Sequence, residues 1–342
     1  MKTSATKTRT TTGRTKCALA AALLTGAGAM AAVTIDTVPV GNTGNSDDTH
    51  GDGYGAVDYE YNIGTYEVTA GQYTEFLNAV ADTDSYGLYN TNMDSDMSPY
   101  ACNIKRSGQA GSHSYSVAGD WADRPVNYVS WGDAARFANW LHNGQPTGAQ
   151  DATTTEDGAY FLNGATSDAA LMAVDREDDW LWAIPTEDEW YKAAYHYNDG
   201  NTDSYYDYPT SSDSPPSNDL TEPDDGNNAT YLDVSYTIGF PYYRTEAGAH
   251  EDSGSPYGTF DQGGNVHEWN ETQVSGNRGV RGGSVIYSVD FLRANNRGSN
   301  DPTREFYYFG FRVASRVPEP GSIALLILGG AGIVARRRRV AA

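Results

Sequence analysis

Ile184-Pro185-Thr186-Glu187-Asp188-Glu189-Trp190-Tyr191-Lys192-Ala193-Ala194 is the stretch from which the fold is read. Thr186 followed three residues later by Glu189 is a full capping box. The hydroxyl can accept from the Glu189 amide while the carboxylate reaches back to the Thr186 amide. Trp190, Ala193 and Ala194 then supply the apolar side of a helix. Ser130-Trp131-Gly132-Asp133 is the same device with Asp in place of Glu. Ala134, Phe137, Ala138 and Leu141 follow it and predict a helix near 131–142. Thr69 caps a third helix over about 70–80, where Tyr73, Phe76, Leu77 and Val80 share one face. Short strand-like runs at 57–68, 126–129, 279–287 and 309–316 surround these helices. The connections at 82–123, 144–180 and 198–256 are long, acidic and rich in Gly, Ser, Asn and Tyr. Loops of that length in a compact domain are functional or ion-stabilised. No repeat at solenoid or propeller period is present. The order predicts a single α+β domain of low regularity over residues 33–316.

Composition narrows the function. The 342 residues carry 23 Lys and Arg against 45 Asp and Glu, a net charge of -22. The ends distort this value, because five cations lie in 1–32 and four more at Arg336 to Arg339, leaving 14 cations against 45 acids between them. A body this acidic repels phosphate backbones and anionic head groups, so nucleic-acid and lipid-surface binding are excluded. With 12% aromatic residues and 7 Trp the chain can fill a core, so whole-chain disorder is excluded too.

The ends read as addresses. Residues 1–16 are polar and basic, Cys17 to Ala32 is an Ala-rich apolar run, and Ala29-Met30-Ala31 offers small residues at cleavage spacing. That is the layout of a secretory signal peptide over 1–32. At the other end Val317-Pro318-Glu319-Pro320 precedes an apolar run from Gly321 to Ala335, followed at once by the four arginines. The run is short for a stable membrane span, and the arginines would hold its end in the cytoplasm. Pro-Glu-Pro, apolar run and Arg cluster over 317–342 resemble the PEP-CTERM sorting signal of Gram-negative bacteria. The resemblance implies export, transient anchoring in the cell envelope and cutting by an exosortase-type enzyme. After signal removal only Cys102 remains, so no intramolecular disulfide and no thiol-pair chemistry can form.

Six segments of the body then line up in order with one family. They are Tyr61-Asn62-Ile63-Gly64 through Glu67-Val68-Thr69; Arg124-Pro125-Val126 to Trp140-Leu141; the 184–194 helix; Tyr257-Gly258 to Asp261 with Gly263-Gly264-Asn265-Val266 and Glu268-Trp269; Arg281-Gly282-Gly283-Ser284; and Gly310-Phe311-Arg312-Val313-Ala314. Together they resemble the sulfatase-modifying factor, or formylglycine-generating enzyme, family, whose fold is a low-regularity relative of the C-type lectin fold. Trp131, Trp140, Trp190 and Trp269 are expected in the core, and Arg281 and Arg312 are expected to tie loops together by charge-assisted hydrogen bonds.

The resemblance implies oxidation of a substrate cysteine to formylglycine by oxygen and a copper ion held by two cysteines, whose soft thiolates select Cu(I). In the family those cysteines lie three and eight positions after the Ser of Arg-Gly-Gly-Ser; here Tyr287 and Leu292 stand there. His267 replaces a usual Trp, and Ser284 is retained. Copper is therefore not expected. The pocket candidates are Ser284 and His267, and a ligand site over Ser284, Tyr287, His267 and Arg293 is expected in the polar, Tyr-containing segment 284–308. The resemblance also implies a structural calcium ion held by Asp261, the carbonyls of Gly264 and Val266, and Glu268. A second ion would draw on Asn228 and the carbonyl of Ala229. Calcium takes hard oxygen ligands of these kinds.

The expectation is thus an exported surface or matrix protein. Its domain would be non-catalytic, calcium-stabilised and directed at an extracellular polysaccharide, another glycan or a surface protein, and it would touch the membrane only through its C-terminal segment. The alternatives are a formylglycine-generating oxidase and a passive acidic matrix component that binds divalent cations.

Overall fold

The structure is a computed structural model that describes residues 32–48, 53–200 and 203–317. The expected signal peptide up to residue 31 and the sorting segment from Pro318 onward lie outside the described residues.

In chain order the strands are β1 (Thr37–Val40), β2 (Tyr61–Gly64), β3 (Ile104–Ser107), β4 (Ser114–Val117), β5 (Trp182–Ala183), β6 (His267–Val274), β7 (Asn277–Arg281), β8 (Gly298–Asn300), β9 (Phe309–Gly310) and β10 (Ala314–Arg316). The helices are α1 (Ala70–Val80), α2 (Gly119–Ala122), α3 (Trp131–His142), α4 (Asp168–Met172) and α5 (Glu187–Tyr195). Short strands, few helices and much irregular chain make this an α+β fold.

The three long helices form where the capping boxes put them. Thr69 Oγ1 accepts from Gln72 N and Gln72 Oε1 from Thr69 N, so Gln serves the first helix as Glu serves the last. Ser130 and Asp133 do the same for α3, and Thr186 and Glu189 for α5. Each reciprocal pair satisfies two amides that a helix start leaves without partners. The aromatic faces of α1 and α3 then meet. Phe137 lies 5.3 Å from Phe76, 6.1 Å from Tyr73 and 5.4 Å from Phe311 beside the last strand. Trp131, Trp140, Trp190 and Trp269 are all buried, as expected. Each large side chain so buried stabilises the fold by about 1.5–3 kcal/mol.

Three sheets rest on this core. One has the order β1-β2-β10-β5, a second is the β3-β4 hairpin, and the third has the order β8-β7-β6-β9. The pair β6-β9 is parallel and the other pairs are antiparallel. The β6-β7 hairpin follows the Gly263-Gly264-Asn265-Val266 segment, the Gly-Asn loop, and β10 lies between β2 and β5.

Several strand expectations change: the 57–68 run is strand only over Tyr61–Gly64, and the 309–316 run divides into β9 and β10. Residues 126–129 form no strand: Tyr128 takes a left-handed backbone, φ 59°, which breaks an extended run. The strand expected over 279–287 stops at Arg281, because Gly282 and Gly283 follow with φ of 93° and 73°. The strand β6 has no counterpart among the expected strands. His267, Glu268, Trp269 and Asn270 are all buried, so the two-residue alternation that marks a half-exposed strand is missing. The 82–123 connection likewise contains the β3-β4 hairpin and α2 rather than loop alone.

Candidate functional site

Guanidinium-carboxylate pairs fix the loops where the candidate residues gather. Arg312, fully buried, donates from Nε and Nη2 to the two oxygens of Glu268 at 2.6 and 2.7 Å. Its remaining donors hold the carbonyls of Gly64 and Phe260 at 3.0 and 2.9 Å. Trp190 Nε1 donates to Glu268 at 2.8 Å, so α5 and β6 are joined through one carboxylate. Arg281 donates to Glu187 at 2.8 Å and to the carbonyls of Ala294 and Asn296. Arg297 forks onto the same Glu187 at 2.6 Å. Both expected loop-tying arginines therefore do that work, through charge-assisted bonds of the strong kind. The Gly-Asn loop itself needs glycine: at Gly264, φ 97°, a Cβ would collide with the carbonyl of Thr230.

At the two positions that resemble the family's cysteine sites, the structure is filled with carbon. Leu292 is fully buried beside Tyr208, Ala229 and Tyr231. The Tyr287 ring stacks on Phe291 at 4.4 Å and lies 5.6 Å from Tyr308 and 5.0 Å from His267. Neither residue supplies a thiolate. Cys102 is buried in the cluster around α1 and α3, its Sγ 4.0 Å from the Met93 carbonyl, and burial pushes its thiol pKa up. These donors do not fit a Cu(I) ion.

His267 and Ser284 come near Tyr287 but make no catalytic pair. Burial pushes the His267 pKa down to about 4, so the ring is neutral at ordinary pH, and its Nδ1 lies 3.4 Å from the Arg281 carbonyl. Ser284 Oγ is buried without a hydrogen-bond partner. A serine nucleophile needs a base in hydrogen-bond contact, and His267 makes none with it. Arg293 stands apart from this group, 5.2 Å over the Tyr208 ring, with Asp207 and Asp290 each 3.9 Å away.

The residues expected around calcium are gathered unevenly. Asp261 takes a left-handed backbone, φ 60°, and its Oδ2 accepts from Gly248 N at 2.6 Å. Burial raises its pKa. The Glu268 oxygens are committed to Arg312 and Trp190. Close by is a carboxyl to which the sequence pattern assigns no role. Glu67 is buried, both of its oxygens lack hydrogen-bond partners, and burial followed by Asp261 and Glu268 hold its pKa well above the usual range. Among the described residues no three His, Cys, Asp or Glu side chains converge as a metal centre. An ion here would rest largely on the carbonyls of Gly264 and Val266 with Asp261. At the second location Asn228 donates to Asp224 at 2.5 Å and Asp225 at 2.7 Å. Against burial, the bonds from Asn228 and Ser253 hold Asp224 below its usual pKa. The backbone of Ala229 donates to the Ser217 carbonyl.

A separate pocket of about 590 Å³ lies where the described chain ends, lined by Tyr59, Arg176, Trp180, Glu271 and Val317 among others. Its arginine is occupied: Arg176 bridges Glu189 and Glu271 and lies 4.4 Å over Trp180. No helix among the described residues is long and apolar enough to cross a membrane.

With this geometry in hand, known proteins can be set beside the chain. Residues 37–317 match the sulfatase-modifying factor enzyme 1-like domain, and residues 316–339 match the PEP-CTERM protein-sorting motif. None of the curated proteins matches. Among solved structures, CarF is 20% identical with a TM-score of 0.47, covering 83% of this chain and 99% of its own. Treponema denticola variable protein 1 is 17% identical with a TM-score of 0.46, covering 84% and 97%. PvdO from Pseudomonas aeruginosa is 16% identical with a TM-score of 0.40, covering 83% and 92%.

Proposed function

The chain belongs to the sulfatase-modifying factor family and carries a PEP-CTERM sorting motif, and on that footing we propose that its domain is a non-catalytic binding module. The sorting motif supports export to the cell envelope of a Gram-negative bacterium and recognition by an exosortase-type processing enzyme. One observation carries the non-catalytic reading. Where the family enzyme would hold copper, Leu292 is sealed in an apolar cluster and Tyr287 is stacked on Phe291. A thiolate pair cannot be recovered from elsewhere, because Cys102 is a single buried thiol.

The ligand site is assigned to the face that Tyr287 shares with His267, with Ser284 beneath it; Arg293, over Tyr208, lies apart from that face. Half-buried aromatic side chains on pinned loops suit recognition, since the ordering cost is met by the fold before the ligand arrives. The ligand is an extracellular glycan or surface protein. A calcium ion at Asp261 and the carbonyls of Gly264 and Val266 is assigned a structural role, with the Glu67 carboxyl as the nearby group that has oxygens to spare.

The test is chemical. Purified protein should leave a sulfatase-type cysteine peptide at its original mass with or without added copper. An aldehyde product in the mass spectrum would restore the oxidase reading.

A further inference from the structure

We propose that a strip of six tyrosine rings is a binding platform for an extended, uncharged polysaccharide; this deepens, and rests on, the reading of the domain as a binding module. The rings come from three distant parts of the chain. From Tyr287 the path runs to Tyr308 at 5.6 Å, to Tyr307 at 5.1 Å, to Tyr100 at 4.6 Å, to Tyr243 at 4.6 Å and to Tyr236 at 4.9 Å. All six are half-buried, unlike the core rings of Tyr61, Tyr73 and Tyr160. Each therefore keeps part of its apolar surface in water, and apolar surface left wet forgoes about 25 cal/mol per Å² that a ligand would recover.

The strip is held in shape from below. Asn127, fully buried, donates from one nitrogen to the carbonyls of Tyr100 and Tyr307 at 2.7 and 2.6 Å. Arg244, also fully buried, donates to the carbonyls of Tyr100 and Ala101 at 3.0 and 2.7 Å. The amide of Tyr128 holds the carbonyl of Phe306 at 3.1 Å. Tyr243 sits in the left-handed region, φ 58°, a conformation that costs a bulky residue on the order of 1–3 kcal/mol and persists only where its surroundings enforce it. Rings fixed in this way lose little freedom on binding.

The chemistry of the strip selects the occupant. A tyrosine offers an apolar face and a phenol oxygen that both donates and accepts. A sugar ring has the complementary pattern, with C–H groups on its face and hydroxyls around its edge. Tyrosine is a neutral polar side chain, and a net charge of -22 repels a polyanion. A proline-rich peptide could also lie on such rings, but it offers only carbonyls to a row of hydroxyls.

Native gels containing dissolved hydroxyethyl cellulose, glucomannan or dextran, with alginate as the charged comparison, test the proposal on the exported domain. At least one neutral polymer should retard the protein and alginate should not. Tyr100→Ala and Tyr243→Ala should each weaken retardation about tenfold, the effect expected when a single aromatic ring is removed from a stacking surface. Phe161→Ala, at an exposed ring outside the strip, should not weaken it. Tyr236→Ala guards against a folding artefact: it should bind less while melting at the wild-type temperature. If Tyr287→Ala abolishes binding while Tyr236→Ala and Tyr243→Ala bind as wild type, the module stands and the strip falls. No retardation by any of the three neutral polymers, equal retardation by alginate, or tighter binding of a polyproline peptide would overturn the proposal.

Discussion

The two halves of the 261–316 region are built in opposite ways. The side facing α5 is knit by buried charges, Arg312 with Glu268 and Arg281 and Arg297 with Glu187. The side facing Tyr100 and Tyr243 is knit by ring against ring, with the phenols left half in water. Charge pairs in a dry interior fix geometry, because a misplaced ion has no second-best partner. Stacked rings tolerate small shifts, and the six of the tyrosine strip remain partly exposed. The first construction suits a frame and the second suits a surface.

Removing one partner of the frame should have the largest effect. Arg312→Ala would leave Glu268 buried without its guanidinium, and such broken pairs cost about 3–5 kcal/mol. Denaturant midpoints should fall accordingly; a drop no larger than that of an exposed ion pair would mean the two sides do not differ. Within the other side, the two positions that resemble cysteine sites should separate. Leu292→Ala opens a cavity in a full cluster and should cost about 2–5 kcal/mol, whereas Tyr287→Ala, on a half-exposed ring, should cost less than half as much. Equal costs would place Tyr287 in the core and remove it from the binding face. Next comes the ion. Chelation should lower the melting temperature, by the equivalent of about 2.7 kcal/mol where calcium stands a hundredfold above its dissociation constant, and Asp261→Ala should abolish most of that response. A melting curve indifferent to chelator and to added calcium would leave the loop to hydrogen bonds alone.

A pH dependence is expected from the loop that carries Tyr307 and Tyr308. Glu305 faces Asn90, Asp133 and Asp84, and burial and then Asp133 push its carboxyl up to about 8. The folded chain therefore holds a proton that the unfolded chain releases near 4.5. This contribution is fully present below that value and is lost as pH rises toward about 8. His267 acts with the opposite sign, since its folded value of about 4 lies below the ordinary 6.5 and its contribution is lost as pH falls. The difference between wild type and Glu305→Gln isolates the first effect: it should shrink steadily across that window, and a flat difference would refute the raised carboxyl.

The frame is more legible in the sequence than the surface. Capping boxes at Thr69, Ser130 and Thr186 are local chemistry, so the helices begin where the sequence places them. Arg281 and Arg312 can be read as ties, but their partners cannot, because Glu187 and Glu268 come from segments 94 and 44 residues away. The strand β6 is hidden by burial on both faces. The tyrosine strip is illegible for a different reason. Tyr100 and Tyr236 sit in stretches that read only as long polar loops, Tyr307 sits in the Tyr-containing segment 284–308 expected to bind ligand, and nothing in their spacing says that the three converge. Glu67 belongs to a recognisable pattern, yet only its packing reveals an acid without partners.

The position of β10 governs when this domain can become a domain. Its three residues slot between β2 and β5, and Arg312, just ahead of them, completes the pair with Glu268. Until the chain has been delivered through residue 316, the first sheet has a gap at its centre and Glu268 waits without its cation. Contacts this distant in sequence form late, after long loops have closed. Completion of the first sheet and of the buried pair with Glu268 therefore needs the segment that adjoins the sorting motif, which starts at residue 316.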